Sequence, residues 1–177
     1  MNVFILNSGR CGSTTFIRAC QHITNYSCAH ESLLYETGAQ RLDYPANHIE
    51  ADNRLSWFLG RLDQAYGDEA FYVHLQRNTQ DTAASFARRI DFGILKAYEQ
   101  GILMHEQHRL PAEDIARDYL HTVNSNIRLF LKDKSRKMNI SLETVKSDFT
   151  EFWNRIDAHG DLDAALGEWD IQYNASE

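Results

Sequence analysis

The sequence predicts an α/β fold with a central, mostly parallel sheet flanked by helices on both faces. Two observations carry this. Strand-like and helix-like stretches alternate along the chain, and that order builds parallel sheets. Twice, a strand runs into a polar loop that opens a helix: "FILNSGRCGSTTF", Phe4 to Phe16, and "YVHLQRNTQDTAASFARR", Tyr72 to Arg89. Such sheets bind ligands at the carboxyl ends of their strands, so these two loops are where function is expected.

Each element follows from its pattern. Residues 2–7 read as a buried strand. Thr14 to Ile23 reads as a helix with Phe16, Ala19, Cys20 and Ile23 on one face. Tyr26 to His30 is a second strand and His48 to Ala51 a third, followed by a helix through Leu55, Phe58, Leu59 and Leu62. Phe71 to Gln76 is the clearest later strand, because Phe71, Val73 and Leu75 alternate with Tyr72, His74 and Gln76. A long helical region starts near Thr79, with a break expected at Gly93. Pro111 stands at the first turn of another helix, whose apolar positions are Ile115, Tyr119, Val123, Ile127 and Phe130 or Leu131. Met138 to Leu142 is the last strand and Phe149 to Ala158 the last full helix.

Length and composition set bounds. The 177 residues fit one domain, 1–177. The formal net charge of -7 argues against nucleic acid or an anionic membrane surface as main partner, while leaving room for an anionic small ligand at a locally basic site. The three cysteines, Cys11, Cys20 and Cys28, read as reduced thiols in a cytoplasm. The apolar run Val3 to Leu6 is too short for a signal or a membrane span. A cytoplasmic location is therefore expected.

The opening loop has the make-up of an anion site. Gly9 and Gly12 let the backbone turn and let an anion approach the main chain. The helix that follows offers free N–H groups and a favourable dipole. Arg10 supplies a planar fork of donors suited to phosphate or sulfate oxygens, and Ser13, Thr14 and Thr15 add hydroxyls. A plain strand–helix turn with a glycine bend has much the same composition, so the loop does not decide alone. It also lacks the lysine that a nucleoside-triphosphatase P-loop places before its hydroxyl, which weakens a magnesium-dependent phosphoryl transfer. In the second stretch Arg77 ends a strand, Asn78, Thr79 and Asp81 are turn and cap residues, and Ser85 lies further into the helix.

Together the two stretches resemble the sulfotransferase family that uses 3′-phosphoadenosine 5′-phosphosulfate (PAPS). "NSGRCGSTTF" is similar to the family's 5′-phosphosulfate loop, in the arginine-bearing form of carbohydrate-type and bacterial members. "RNTQDTAAS" is similar to its 3′-phosphate motif. "RKMNISLETVKSDFTEFWNRI", Arg136 to Ile156, is similar to its late strand, ending in a glutamate and leading into a helix. The resemblance implies a three-layer P-loop-like α/β fold and PAPS as co-substrate. It assigns Arg10, Gly12, Ser13 and Thr14 to the 5′-phosphosulfate, with Thr15 beside them and Cys11 giving its backbone N–H. It assigns Arg77 and Ser85 to the 3′-phosphate. The late Arg-Lys-Gly motif of cytosolic members is absent. The chain is also shorter than most members, so the acceptor-binding part is small or comes from a second subunit of a homo-oligomer.

Sulfuryl transfer needs no metal in this family. It moves an SO3-like group between two oxygens while charge grows on the departing phosphate, where fixed donors such as Arg10 act. The acceptor, a hydroxyl or amine of a small molecule or carbohydrate, must lose a proton to a base. The candidates are His30 and Glu31 in "CAHESLLYE", past the second strand. Glu31 is favoured, because the arginine-type loop goes with glutamate-type members. Capping of the next helix would explain Glu31 almost as well, and His30 is the second choice. His48, Glu50 and Asp52 follow the third strand, the two acids as acceptor-site candidates.

Other features point less far. "HEQH", His105 to His108, misses the zinc spacing HExxH by one residue and suits a solvated helix end. "KDKSRK", Lys132 to Lys137, suits a helix C-terminus, with a contact to the 3′-phosphate as the alternative. Cys11, at a helix N-terminus, is placed where a thiol pKa falls. Two rival functions stand beside the sulfotransferase: a phosphate-handling P-loop-like enzyme such as a small kinase, and a non-catalytic nucleotide-binding relative.

Overall fold

The chain was analysed as a computed structural model that describes residues 1–104, 110–171 and 173. Five strands form one sheet: β1 (Val3–Leu6), β2 (Ser27–His30), β3 (His48–Ala51), β4 (Phe71–Gln76) and β5 (Lys137–Ser141). Their order across the sheet is β2-β3-β1-β4-β5, and every pairing is parallel. The helices are α1 (Ser13–Cys20), α2 (Leu59–Tyr66), α3 (Thr79–Ala87), α4 (Gly93–Ala97), α5 (Ala112–Leu131), α6 (Val145–Arg155) and α7 (Leu162–Gly167).

A parallel sheet is covered on both faces, so its strands are apolar on both sides. In β1 all four side chains are fully buried. Val3 and Ile5 face a core with Phe16 of α1 and Phe149 and Phe152 of α6. Phe4 and Leu6 face the opposite core, with Leu62 of α2, Phe86 of α3 and Tyr119 of α5. The alternation in β4 divides the same way, Val73 and Leu75 to the first core and Tyr72 to the second.

The strands β3 and β4 run as predicted, and β1 is shorter than 2–7 by one residue at each end. The residues after β3 split into a 3-10 turn, Asn53–Trp57, before α2, because Asp52 accepts the Arg54 N–H and starts a tight turn. The break expected at Gly93 is the start of α4. Helix α6 begins earlier than Phe149, at Val145. Helix α7 was not predicted. Six residues carry little periodicity, and it is held by the Asp161 carboxylate, which accepts the Ala164 N–H at 2.9 Å. The "HEQH" segment lies outside the described residues.

The strand order positions the site. From β1 the chain moves to the β2–β3 side, then crosses β1 to reach β4 and β5. The reversal falls at β1, so the crevice at its carboxyl end is the place where such sheets take ligands.

Candidate anion site at the end of the first strand

The loop after β1 is held from inside. Asn7 is fully buried. Its amide donates to the Ile5 carbonyl at 3.0 Å, and its carbonyl oxygen accepts the Gly9 N–H at 2.8 Å. Ser56 donates to the Asn7 carbonyl at 3.0 Å, and the Tyr119 hydroxyl donates to the Ser8 carbonyl at 2.8 Å. The carbonyls that would repel an anion are therefore engaged by the protein. Gly9, Arg10 and Gly12 have φ of 91°, 59° and 90°, three left-handed residues among four. Turns of this kind gather backbone N–H groups into anion-binding concavities.

Space around both glycines is tight as well, so a side chain there would make its neighbour give way. A Cβ at Gly9 would lie 3.0 Å from the Asn53 side chain, and one at Gly12 3.0 Å from Leu142. Helix α1 then starts with no side-chain cap and no acidic residue in its first turn. Its positive end is thus left to something outside the helix.

The second loop meets the first. Asn78 caps α3 as predicted, accepting the N–H groups of Gln80 at 2.9 Å and Asp81 at 3.1 Å. Arg10 donates through Nε to the Ser85 hydroxyl at 3.0 Å, across 75 residues of sequence. Arg10 also has a lowered pKa, first because of burial and then because Arg89, Arg77 and Arg88 lie close. Arg10 thus feels the positive charge of three further arginines in a chain with net charge -7. A local positive potential of this kind favours an anion.

Glu143, the glutamate past the late strand, sits at the edge of this crevice and accepts the Asn78 N–H at 2.7 Å. Its pKa is lowered, mainly by the hydrogen bond from Ser141, with the charge of Arg77 as a smaller cause.

The candidate bases stand at the end of β2 with different partners. His30 Nε2 lies 3.0 Å from the Ser13 hydroxyl, so this ring touches the anion loop. Glu31 has φ of 54°, and its carboxylate pairs with Arg54 at 2.9 Å. The structure thus joins Arg10 with Ser85 and Ser13 with His30, and turns Glu31 toward Arg54.

Two expectations need correction. Glu50 and Asp52 do not face an acceptor, since both are fully buried. Glu50 is bound by His48 at 3.0 Å and by Ser32 through its N–H at 2.9 Å and its hydroxyl at 2.6 Å. Asp52 pairs with Arg41. Cys11 is not activated: burial pushes its thiol up to about 12, outweighing the helix end. The "KDKSRK" run serves a helix C-terminus as expected, and its place at the start of β5, away from the carboxyl ends, speaks against the alternative contact to a 3′-phosphate. Lys137 donates to the Leu131 and Lys132 carbonyls and so caps α5, and Lys134 pairs with Asp63.

Sequence reasoning missed Arg88, Arg89 and Arg54. For the first two a signal existed, because they follow Ser85 by three and four residues and share its side of the helix end. Arg54 gave none beyond following a strand. Among the described residues no group of three His, Cys, Asp or Glu side chains could hold a metal ion. Nor is any of their helices long and apolar enough to cross a membrane.

At the level of sequence, no protein family and no curated protein matches the chain. At the level of structure it is similar to the sulfotransferase domain from the curacin biosynthetic pathway. The TM-score is 0.61 at 13% identity, over 93% of this chain and 75% of that one. The fold is sulfotransferase-like.

Proposed function

We propose that the chain, as one domain, is a sulfotransferase that moves a sulfuryl group from PAPS to a hydroxyl or amine. The observation that carries this reading is the Arg10–Ser85 hydrogen bond inside the arginine cluster. It brings a loop suited to a 5′-phosphosulfate and a helix suited to a 3′-phosphate into one crevice. The uncapped start of α1 and the three left-handed loop residues fit an anionic group there.

Each residue then has a task. Arg10, Ser13, Thr14, Thr15 and the backbone N–H groups at Cys11 and Gly12 hold the 5′ end. Arg77, Ser85, Arg88 and Arg89 hold the 3′-phosphate. Arg10 stabilises the charge that grows on the leaving phosphate oxygen as the sulfur–oxygen bond breaks. For the base we favour His30 over Glu31, because His30 already touches the loop. It takes the proton of the acceptor while the acceptor oxygen or nitrogen bonds to sulfur. A second reading keeps Glu31 as the base. Its left-handed backbone is a strained conformation of the sort found at functional sites.

Titration with 3′-phosphoadenosine 5′-phosphate against ATP and magnesium tests the class. The sulfotransferase reading predicts tighter binding of the bisphosphate with no help from magnesium. Magnesium-dependent preference for ATP would favour a kinase-like enzyme. Binding of the bisphosphate without sulfuryl transfer to any of a panel of sugar, phenol, alkyl alcohol and amine acceptors would favour a non-catalytic relative.

A further inference from the structure

Ser27 is the first residue of β2 and His48 the first of β3, and the two lie opposite each other at the amino end of the sheet, away from the β1 loop. Ser27 is exposed, whereas His48 is buried and Glu50 fully so. The Ser27 hydroxyl lies 2.8 Å from His48 Nδ1, and His48 Nε2 lies 3.0 Å from Glu50 Oε2. A surface hydroxyl, an imidazole and a buried carboxylate thus form one chain of hydrogen bonds.

The carboxylate fixes the direction of that chain. Ionised Glu50 only accepts: it takes the N–H and hydroxyl of Ser32 at 2.9 and 2.6 Å, and the Nε2–H of His48. The neutral ring then offers a lone pair at Nδ1, to which Ser27 donates its proton. The next acceptor near that hydroxyl, the Asn47 carbonyl, is 3.5 Å away. Tyr44 stacks on the imidazole with ring centroids 5.6 Å apart and planes at 11°, so the ring is held on its face as well as at both nitrogens. A serine facing a base that a third group orients has the arrangement of an activated nucleophile. Ser125 and Ser147, by contrast, donate to the carbonyls of His121 at 2.6 Å and Thr144 at 2.8 Å, neither of which is a base.

We propose that Ser27 is a site of O-acylation, which takes an acyl group from an activated ester such as an aryl ester or a thioester. The Ser27 oxygen bonds to the acyl carbon as its proton passes to His48 Nδ1. The bond from that carbon to the leaving oxygen or sulfur breaks, and the departing phenolate or thiolate takes up the proton from His48. The structure supplies a base at Ser27 and leaves the residue open to solvent, so the donor must bring its own good leaving group. The site stands independently of the function proposed for the β1 loop.

Timed incubation with p-nitrophenyl acetate, followed by peptide mass spectrometry, tests it. Ser27 should be acetylated at least roughly 10²-fold faster than Ser125 and Ser147 of the same chain. His48→Gln should bring Ser27 down to their rate. Since His48 is buried, circular dichroism checks the folding of that variant, and where it does not fold the comparison within the parent decides alone. Ser27→Ala should abolish the fast phase of nitrophenolate release. Acetylation of Ser27 no faster than that of the other two serines would overturn the proposal, as would an undiminished rate in folded His48→Gln or a fast phase that persists in Ser27→Ala.

Discussion

Two groups of charges on this sheet are built on opposite plans. At β3 each buried carboxylate has its partners inside the fold: Asp52 pairs with Arg41, and Glu50 is held by His48 and Ser32. Past the ends of β1 and β4, four arginines lie near one another, with Glu143 at the edge. Both groups are polar and both look functional when read as sequence. A buried ion pair is satisfied within the fold, whereas cations of one sign gathered at the carboxyl ends of the sheet concentrate a positive potential where an anion would meet it. This difference, and not the presence of ionisable residues, makes the second group the candidate site.

The sharpest contrast is in stability. Asp52→Ala leaves the buried Arg41 with its Tyr44 hydroxyl but no counter-charge and should cost about 3–5 kcal/mol in urea unfolding. Arg10→Ala trades the Ser85 hydrogen bond against relief of like-charge repulsion and should change stability by only about 1 kcal/mol. Equal losses in the two variants would erase the distinction.

A rate effect of comparable size is expected at the end of β2. His30→Gln keeps a hydrogen-bonding group toward Ser13 and removes the basicity. It should lower single-turnover transfer roughly 10²–10⁴-fold with nucleotide affinity nearly unchanged. Under the second reading Glu31→Gln shows that loss and His30→Gln does not.

The smallest effect concerns pH. Glu143 has a folded-state pKa below the ordinary 4.5, so its contribution to stability is complete above that value and lost as pH falls through the lowered one. Acid unfolding of Glu143→Gln, compared with the parent, should lack that component. Since the carboxylate is exposed to solvent screening, the difference should be slight, and it should shrink further in Arg77→Ala.

Much of this was legible in the sequence, for physical reasons. The bounds of β3 and β4 follow from buried apolar runs, and the cap at Asn78 from its side-chain chemistry. Gly9 and Gly12 announced a tight turn after β1, and both take left-handed backbone there. Less legible was anything set by register. Ser27 lies opposite His48, and Ser32 reaches Glu50, only because β2 pairs with β3 in one alignment. The burial of Cys11 likewise depends on packing between elements, so the sequence suggested the opposite pKa shift. The convergence of Arg88 and Arg89 on Arg10 needed the spatial meeting of α3 with the β1 loop.

The central claim is that the arginine cluster reads a 3′-phosphate while the β1 loop holds the 5′ end. Affinity for 3′-phosphoadenosine 5′-phosphate against AMP, measured side by side in the parent and in Arg77→Ala, tests it most directly. The parent should prefer the bisphosphate by at least about tenfold, or ~1.4 kcal/mol, and Arg77→Ala should lose most of that preference while binding AMP nearly as before. Equal affinity of the parent for the two nucleotides would contradict it.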